Sequence, residues 1–167
     1  MKTVIIDYGS GNLHSALKCF QKVANLNKKG DVLLTSDAQI VRSADKIVLP
    51  GVGSFNDCLN GIKSNKDLFF CLSDRVLKQG VPFLGICVGL QLLADYGHEN
   101  VKNTQGLGWI SGDVTRIIPK DFTIKIPHMG WNHISCVKKD NLFRGFYWTS
   151  QFGPFQQQLD FKKKIKK

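Results

Sequence analysis

Pro82-Phe83-Leu84-Gly85-Ile86-Cys87-Val88-Gly89-Leu90-Gln91 is the stretch that decides how this chain folds. A short apolar run follows a proline and reads as a buried strand. The spacing from Val88 predicts a helix over 88–94, so strand hands over to helix through a tight turn. Glycines at 85 and 89 permit the strained backbone that lifts the intervening side chain out of the sheet, the thiol version of a nucleophile elbow. At the start of a helix, free backbone N–H groups and the macrodipole favour thiolate over thiol, which would make Cys87 a nucleophile. The plain alternative is an inert cysteine packed into a strand-to-helix turn, and the stretch alone leaves both readings open.

Upstream, the same alternation repeats. Thr3-Val4-Ile5-Ile6 is a β-branched run ending at Asp7-Tyr8-Gly9-Ser10-Gly11, a strand entering a turn, and Asn12 is placed to cap the helix after it. Leu13, Ala16, Leu17, Phe20 and Val23 recur at helical spacing. Strands are expected at Val32-Leu33-Leu34 and at Lys46-Ile47-Val48-Leu49, the latter stopped by Pro50-Gly51-Val52-Gly53. Helix faces are expected over 55–62 and at Phe69, Leu72 and Val76, with Gly80 ending the second. Near-continuous apolar strands alternating with helices define an α/β class: a doubly wound, mostly parallel sheet covered by helices on both faces. After about residue 106 the pattern changes to short strands, at 113–118, 123–126 and 146–148, read as an antiparallel extension of the sheet.

Length and composition narrow the function classes. The chain has 167 residues, of which 43% are apolar, enough for one core. No apolar run approaches the roughly 18 to 20 residues of a membrane span, and the first residues lack a signal-peptide pattern. The five cysteines are odd in number and form no C-x-x-C pair, which argues against a disulfide framework and a zinc site and for a reducing cytoplasm. Of the net charge of +10, residues 149–167 carry +4 and the body only +6. The terminal Lys run reads as a solvated tail, and the body lacks the aromatic and basic interleaving of a nucleic-acid binder. Residues 149–167 show no periodicity and are expected to be disordered or non-native. Glu99 is the single glutamate and falls in a polar stretch expected to be a solvated loop.

Two segments could serve Cys87. Gln91 comes one helical turn after it, where its amide would meet a polar substrate group. Pro50-Gly51-Val52-Gly53-Ser54 follows a strand at the end of the sheet where ligands bind, and its glycines let backbone N–H groups face a developing oxyanion. A plain turn is the alternative. The Gly9-Ser10-Gly11 turn is not a dinucleotide fingerprint: His14 occupies the third small-residue position, and no acidic residue ends the second strand.

With these motifs in view, the chain resembles the triad (class I) glutamine amidotransferases, and within them the glutaminase subunits of imidazole glycerol phosphate synthases. The resemblance spans residues 2 to about 148 and rests on Ile6-Asp7-Tyr8-Gly9-Ser10-Gly11-Asn12-Leu13, Leu49-Pro50-Gly51-Val52-Gly53-Ser54-Phe55, the elbow through Gln91, Gly106-Leu107-Gly108-Trp109 and Ile126-Pro127-His128-Met129-Gly130-Trp131-Asn132. It implies a flavodoxin-like fold. It further implies that Cys87 attacks the glutamine side-chain amide and releases ammonia, while Gln91 and the backbone of Val52, Gly53 and Val88 bind substrate and oxyanion. Neither cofactor nor metal is implied. The implied partner is a (β/α)8-barrel cyclase, in a cytoplasmic heterodimer of histidine biosynthesis with hydrolase and lyase activities.

The family completes its site with a His and, two residues on, a Glu. None of His14, His98, His128 and His133 is followed two residues later by Glu. The expectation is therefore a C-terminally incomplete amidotransferase domain at 1–148 with a tail at 149–167. Three accounts are open: a truncated or frame-shifted product, an inactive subunit that still binds the cyclase, or a substitute base such as His128.

Overall fold

A computed structural model of the chain describes residues 1–99, 103–119, 121 and 126, and the backbone of residues 128–133, 151–157 and 159–162. The chain divides into two compact units, Met1–Thr115 and Arg116–Asp160, the first also including Phe161 and Lys162.

The apolar runs of the first unit become β1 (Lys2–Ile6), β2 (Asp31–Thr35), β3 (Lys46–Gly51) and β4 (Phe83–Cys87). They form one parallel sheet in the order β2-β1-β3-β4. Between them run α1 (Leu13–Leu26), α2 (Ala38–Arg42), α3 (Phe55–Ser64), α4 (Lys66–Ser73) and a π-helical turn (Asp74–Lys78), and α5 (Val88–Gln91) follows β4. The order reverses direction between β1 and β3, so the crevice beyond the carboxyl ends of these strands is the natural ligand site of the fold.

Strand periodicity explains how the sheet is covered. Ile5, Val32 and Val48 face α1 and pack against its Ala16, Leu17, Phe20 and Ala24. Their neighbours Val4, Ile6, Ile47 and Leu49 point to the opposite face and are at most 1% exposed, as are Val41, Phe55, Ile62, Leu68 and Leu72 of α2, α3 and α4. Each such side chain contributes about 1.5 to 3 kcal/mol on burial. β4 is the edge of this sheet among the described strands, and Leu84 and Ile86 there remain 41% and 37% exposed.

Local chemistry sets the helix starts. The side chains of Asp37, Ser54 and Asn65 accept the backbone N–H groups of Gln39, Asp57 and Leu68 at 2.7, 3.1 and 3.1 Å. Each satisfies an otherwise orphaned donor of a first helical turn. Asn12 occupies the cap position of α1 but makes no side-chain cap bond; its carbonyl accepts from Ala16 N instead.

Several details depart from the sequence pattern. Pro50 and Gly51 do not stop β3 but continue it, opposite Ile86 and Cys87, because proline's fixed φ suits extended backbone. The five-residue α2 is too short to show a helical period. The helix expected over 88–94 stops at Gln91, and the carbonyls of Leu92 and Ala94 accept instead from Leu107 N and Gly108 N. The later strands begin earlier than expected and form a separate sheet, in which β5 (Tyr96–Gly97) pairs antiparallel with β6 (Thr104–Gln105) and parallel with β7 (Asp113–Arg116).

In the second unit, β8 (His128–His133) pairs antiparallel with β9 (Gln151–Gln157), with an irregularity between Gly130 and Asn132. β10 (Leu159–Lys162) comes next in the chain. Both β9 and β10 lie in the stretch whose sequence shows no period. Residues 123–125 and 146–148, expected as strands, lie outside the described residues. No described helix is long and apolar enough to cross a membrane.

Candidate active site

Three loops leave the carboxyl ends of β1, β3 and β4, and each brings one part of the site. β4 ends at Cys87 with φ 55° and ψ −119°. Among the described non-glycine residues only Cys87 and Lys28 have positive φ. An L-residue held there stores strain of about 1 to 3 kcal/mol, which a packed surround must maintain.

The surround is visible in the two flanking glycines. A Cβ on Gly89 would lie 1.9 Å from the Leu49 carbonyl oxygen, and one on Gly85 would lie 2.6 Å from Leu90 Cα. Their absence lets α5 descend onto β3 and β4 and forces the turn at Cys87. The Cys87 side chain is exposed and has no hydrogen-bond partner among the described residues, whereas Cys58 and Cys71 are buried. This is the elbow expected from the sequence.

One turn on, Gln91 is half-buried, and among the described residues its Oε1 is buried without a hydrogen-bond partner. Val88, whose backbone was expected to bind the oxyanion, is buried in the first position of α5.

The loop after β3 is held more tightly than its sequence implies. Ser10 Oγ accepts from Val52 N at 3.1 Å and donates to Val52 O at 2.7 Å, bracketing one residue from both sides. Cys58 Sγ lies 3.2 Å from both Val52 O and Ser10 Oγ. In this arrangement the Val52 N–H is turned to Ser10, so serving an oxyanion requires that bond to open. Gly53 is next, with φ +96° and open space where a Cβ would be. Tyr8 Oη donates to Pro50 O at 2.7 Å, and burial, reinforced by Cys58, pushes its phenol above the usual value.

Glu99 is not a solvated loop residue. Its carboxylate accepts from Phe55 N at 2.7 Å, an orphan donor at the start of α3, immediately beyond the Pro50-to-Ser54 loop. Sequence spacing could not show this, because the two residues are 44 positions apart. Ser10, Tyr8 and Cys58 were likewise missed as supports of the loop; the glycines around Ser10 were the only cue.

The histidines are scattered. His14 is exposed on α1. His98 has both ring nitrogens engaged, Nε2 at 3.3 Å from Asp113 and Nδ1 at 2.8 Å from Asn103. For His128 and His133 only the β8 backbone is described. Gly106-Leu107-Gly108-Trp109 wraps the end of α5: Gly106 N, Leu107 N and Gly108 N bond Asp95, Leu92 and Ala94 carbonyls, and Trp109 meets Phe83 edge-on at 5.5 Å.

A strained cysteine elbow on the edge strand of a parallel sheet, facing a glycine loop from the next strand, is the arrangement of acyl-transfer enzymes that work through a thioester. The family description "Glutamine amidotransferase class-I" matches residues 4–152, and the chain belongs to that family. Its relatives narrow the class. It is 49% identical over 145 residues to the imidazole glycerol phosphate synthase subunit HisH of Ruegeria pomeroyi, covering 87% of this chain and 68% of that protein. It is 49% identical over 146 residues to HisH of Brucella abortus, covering 87% and 67%, and 47% identical over 146 residues to HisH of Mesorhizobium japonicum, with the same shares.

Proposed function

We propose that this chain is the glutaminase subunit of an imidazole glycerol phosphate synthase, supplying ammonia from glutamine to a (β/α)8-barrel cyclase in histidine biosynthesis. The observation that carries this reading is the exposed, strained Cys87 at the elbow, in a chain 49% identical to HisH proteins.

Cys87 Sγ attacks the side-chain amide carbon of glutamine, the C–N bond breaks, and ammonia leaves with a proton while a glutamyl thioester remains. Water then releases glutamate. Gln91, with its unpartnered buried oxygen, binds the substrate beside the thiol. The N–H groups of Val88 and Gly53 stabilise the oxyanion, joined by Val52 once its bond to Ser10 opens. The reaction needs a group to carry the thiol proton to the leaving nitrogen, worth roughly 10² to 10⁴ in rate. No described side chain bonds Cys87, so that group is sought among the remaining residues, His128 included. The cyclase and this chain work as a heterodimer in the cytoplasm, an environment that fits the free thiols of Cys19, Cys58, Cys71 and Cys87.

The test is ammonia release from glutamine, with and without the cyclase and its nucleotide substrate, beside Cys87→Ala. Release that depends on both Cys87 and the partner supports the reading. Release unaffected by Cys87→Ala refutes the nucleophile assignment.

A further inference from the structure

At the opposite, amino-terminal edge of the same sheet, α2 and the α4 to π-helical segment enclose a groove of about 610 Å³. That volume is within the range of about 300 to 1,000 Å³ typical of small-molecule sites. Arg42 comes from the last turn of α2, and Phe70, Asp74, Arg75 and Lys78 from one side of the continuous helix.

The charges of this groove do not cancel. Its carboxylate, Asp74, is taken up locally: Lys78 Nζ lies 3.1 Å away, and Gln79 Nε2 donates to it at 2.6 Å. Those bonds, helped by the nearby charges of Lys78 and Arg42, hold Asp74 below the usual carboxylate range, so it is ionised and offsets one of the three cations, Lys78 being the one in contact with it. Cys71, in the wall, adds no negative charge, because burial pushes its thiol up. Two guanidinium groups are left over.

Arg75 is half-buried, and its head is fixed by two acceptors that are both neutral, the Ala44 carbonyl and Gln79 Oε1. Its Nε is buried without a partner among the described residues. Arg42 has neither a hydrogen bond nor an ion pair among the described residues. A guanidinium immobilised by neutral groups is preorganised for an anion it does not yet hold, and planar guanidinium forks match phosphate oxygens bidentately. Beside them the Phe70 ring is 67% exposed, an apolar plane at the mouth of a cationic groove.

We propose that this groove binds a nucleoside monophosphate, with the phosphate dianion between the Arg42 and Arg75 guanidinium groups and the planar base against Phe70. The site lies at the far end of β3 and β4 from Cys87, so its occupancy is separable from the chemistry proposed there.

Calorimetric titration of the 167-residue chain with AMP, inorganic phosphate and adenosine at low ionic strength tests this. AMP is expected to saturate in the range of about 0.1 to 1 mM, with phosphate weaker and adenosine weakest. Arg42→Gln, a change at an exposed side chain, should weaken AMP and phosphate by about tenfold, whereas Phe70→Ala should weaken AMP and leave phosphate unchanged. Cys87→Ala should bind AMP as the parent chain does. Lack of saturation by AMP up to about 10 mM, an affinity untouched by Arg42→Gln, or adenosine binding as tightly as AMP would each overturn the proposal.

Discussion

Replacing Cys87 by glycine should stabilise the protein, although it deletes the proposed nucleophile. Cys87 sits at φ 55° and ψ −119°, a conformation that costs a residue with a Cβ about 1 to 3 kcal/mol. Glycine removes that cost. Against it stands the larger conformational entropy of glycine in the unfolded chain, about 0.5 to 1 kcal/mol. The thiol is exposed and unpartnered among the described residues, so little burial is lost with it. The net expectation is a gain of about 1 kcal/mol, or about 3 °C in melting temperature for a chain of this size. Cys87→Ala is the decisive comparison, because alanine keeps the Cβ and therefore the strain. At ordinary positions alanine is the more stable of the two by about 0.5 to 1 kcal/mol, so the expected order is an inversion. Urea denaturation of the three proteins measures it as a shift in midpoint at constant slope. A glycine variant no more stable than the alanine variant would refute the claim that the elbow is strained.

The other predictions concern the supports of the site. Gly89→Ala places a Cβ 1.9 Å from the Leu49 carbonyl oxygen, and since backbone cannot rotate aside, a loss of about 3 kcal/mol or more is expected in the same denaturation assay; a neutral outcome would mean that α5 is not clamped to β3. For Tyr8, burial raises the phenol above its usual value, so its stabilising effect is complete below about pH 10, where the unfolded phenol also keeps its proton, and declines as pH rises beyond that. Tyr8→Phe should therefore flatten the alkaline fall in stability, at a cost of about 1 kcal/mol near neutrality for the hydrogen bond to Pro50. An alkaline profile identical to that of the parent chain would show that Tyr8 is not the group responsible.

How much of the site was legible in advance depended on the range of the interaction. The elbow could be read because its requirements are local: Gly85, Cys87 and Gly89 lie within five residues, and one backbone conformation explains all three. The parallel sheet was legible for a similar reason, since strands buried on both faces, as β1 and β3 are, must be apolar nearly throughout; β4, read as buried, is instead a partly exposed edge strand among the described residues. Glu99 was misread because a lone carboxylate in a polar stretch carries no sign of the amide it will meet. The same holds for Ser10, whose flanking glycines mark a turn but not the Val52 peptide it brackets.

By itself, the sequence determined the four parallel strands and the helices α1, α3 and α4 between them, the place of the turn at Cys87 and the glycine loop that faces it. These come from periodicity and from steric limits on single residues. Tertiary structure alone decided that Val52 N–H points to Ser10, that Glu99 caps α3 and that Arg42 and Arg75 share one groove with the single carboxylate of Asp74. Each of these joins segments distant in the chain, and hydrogen bonds and charge balance between such segments are set only when packing of the core brings them within a few ångströms of each other.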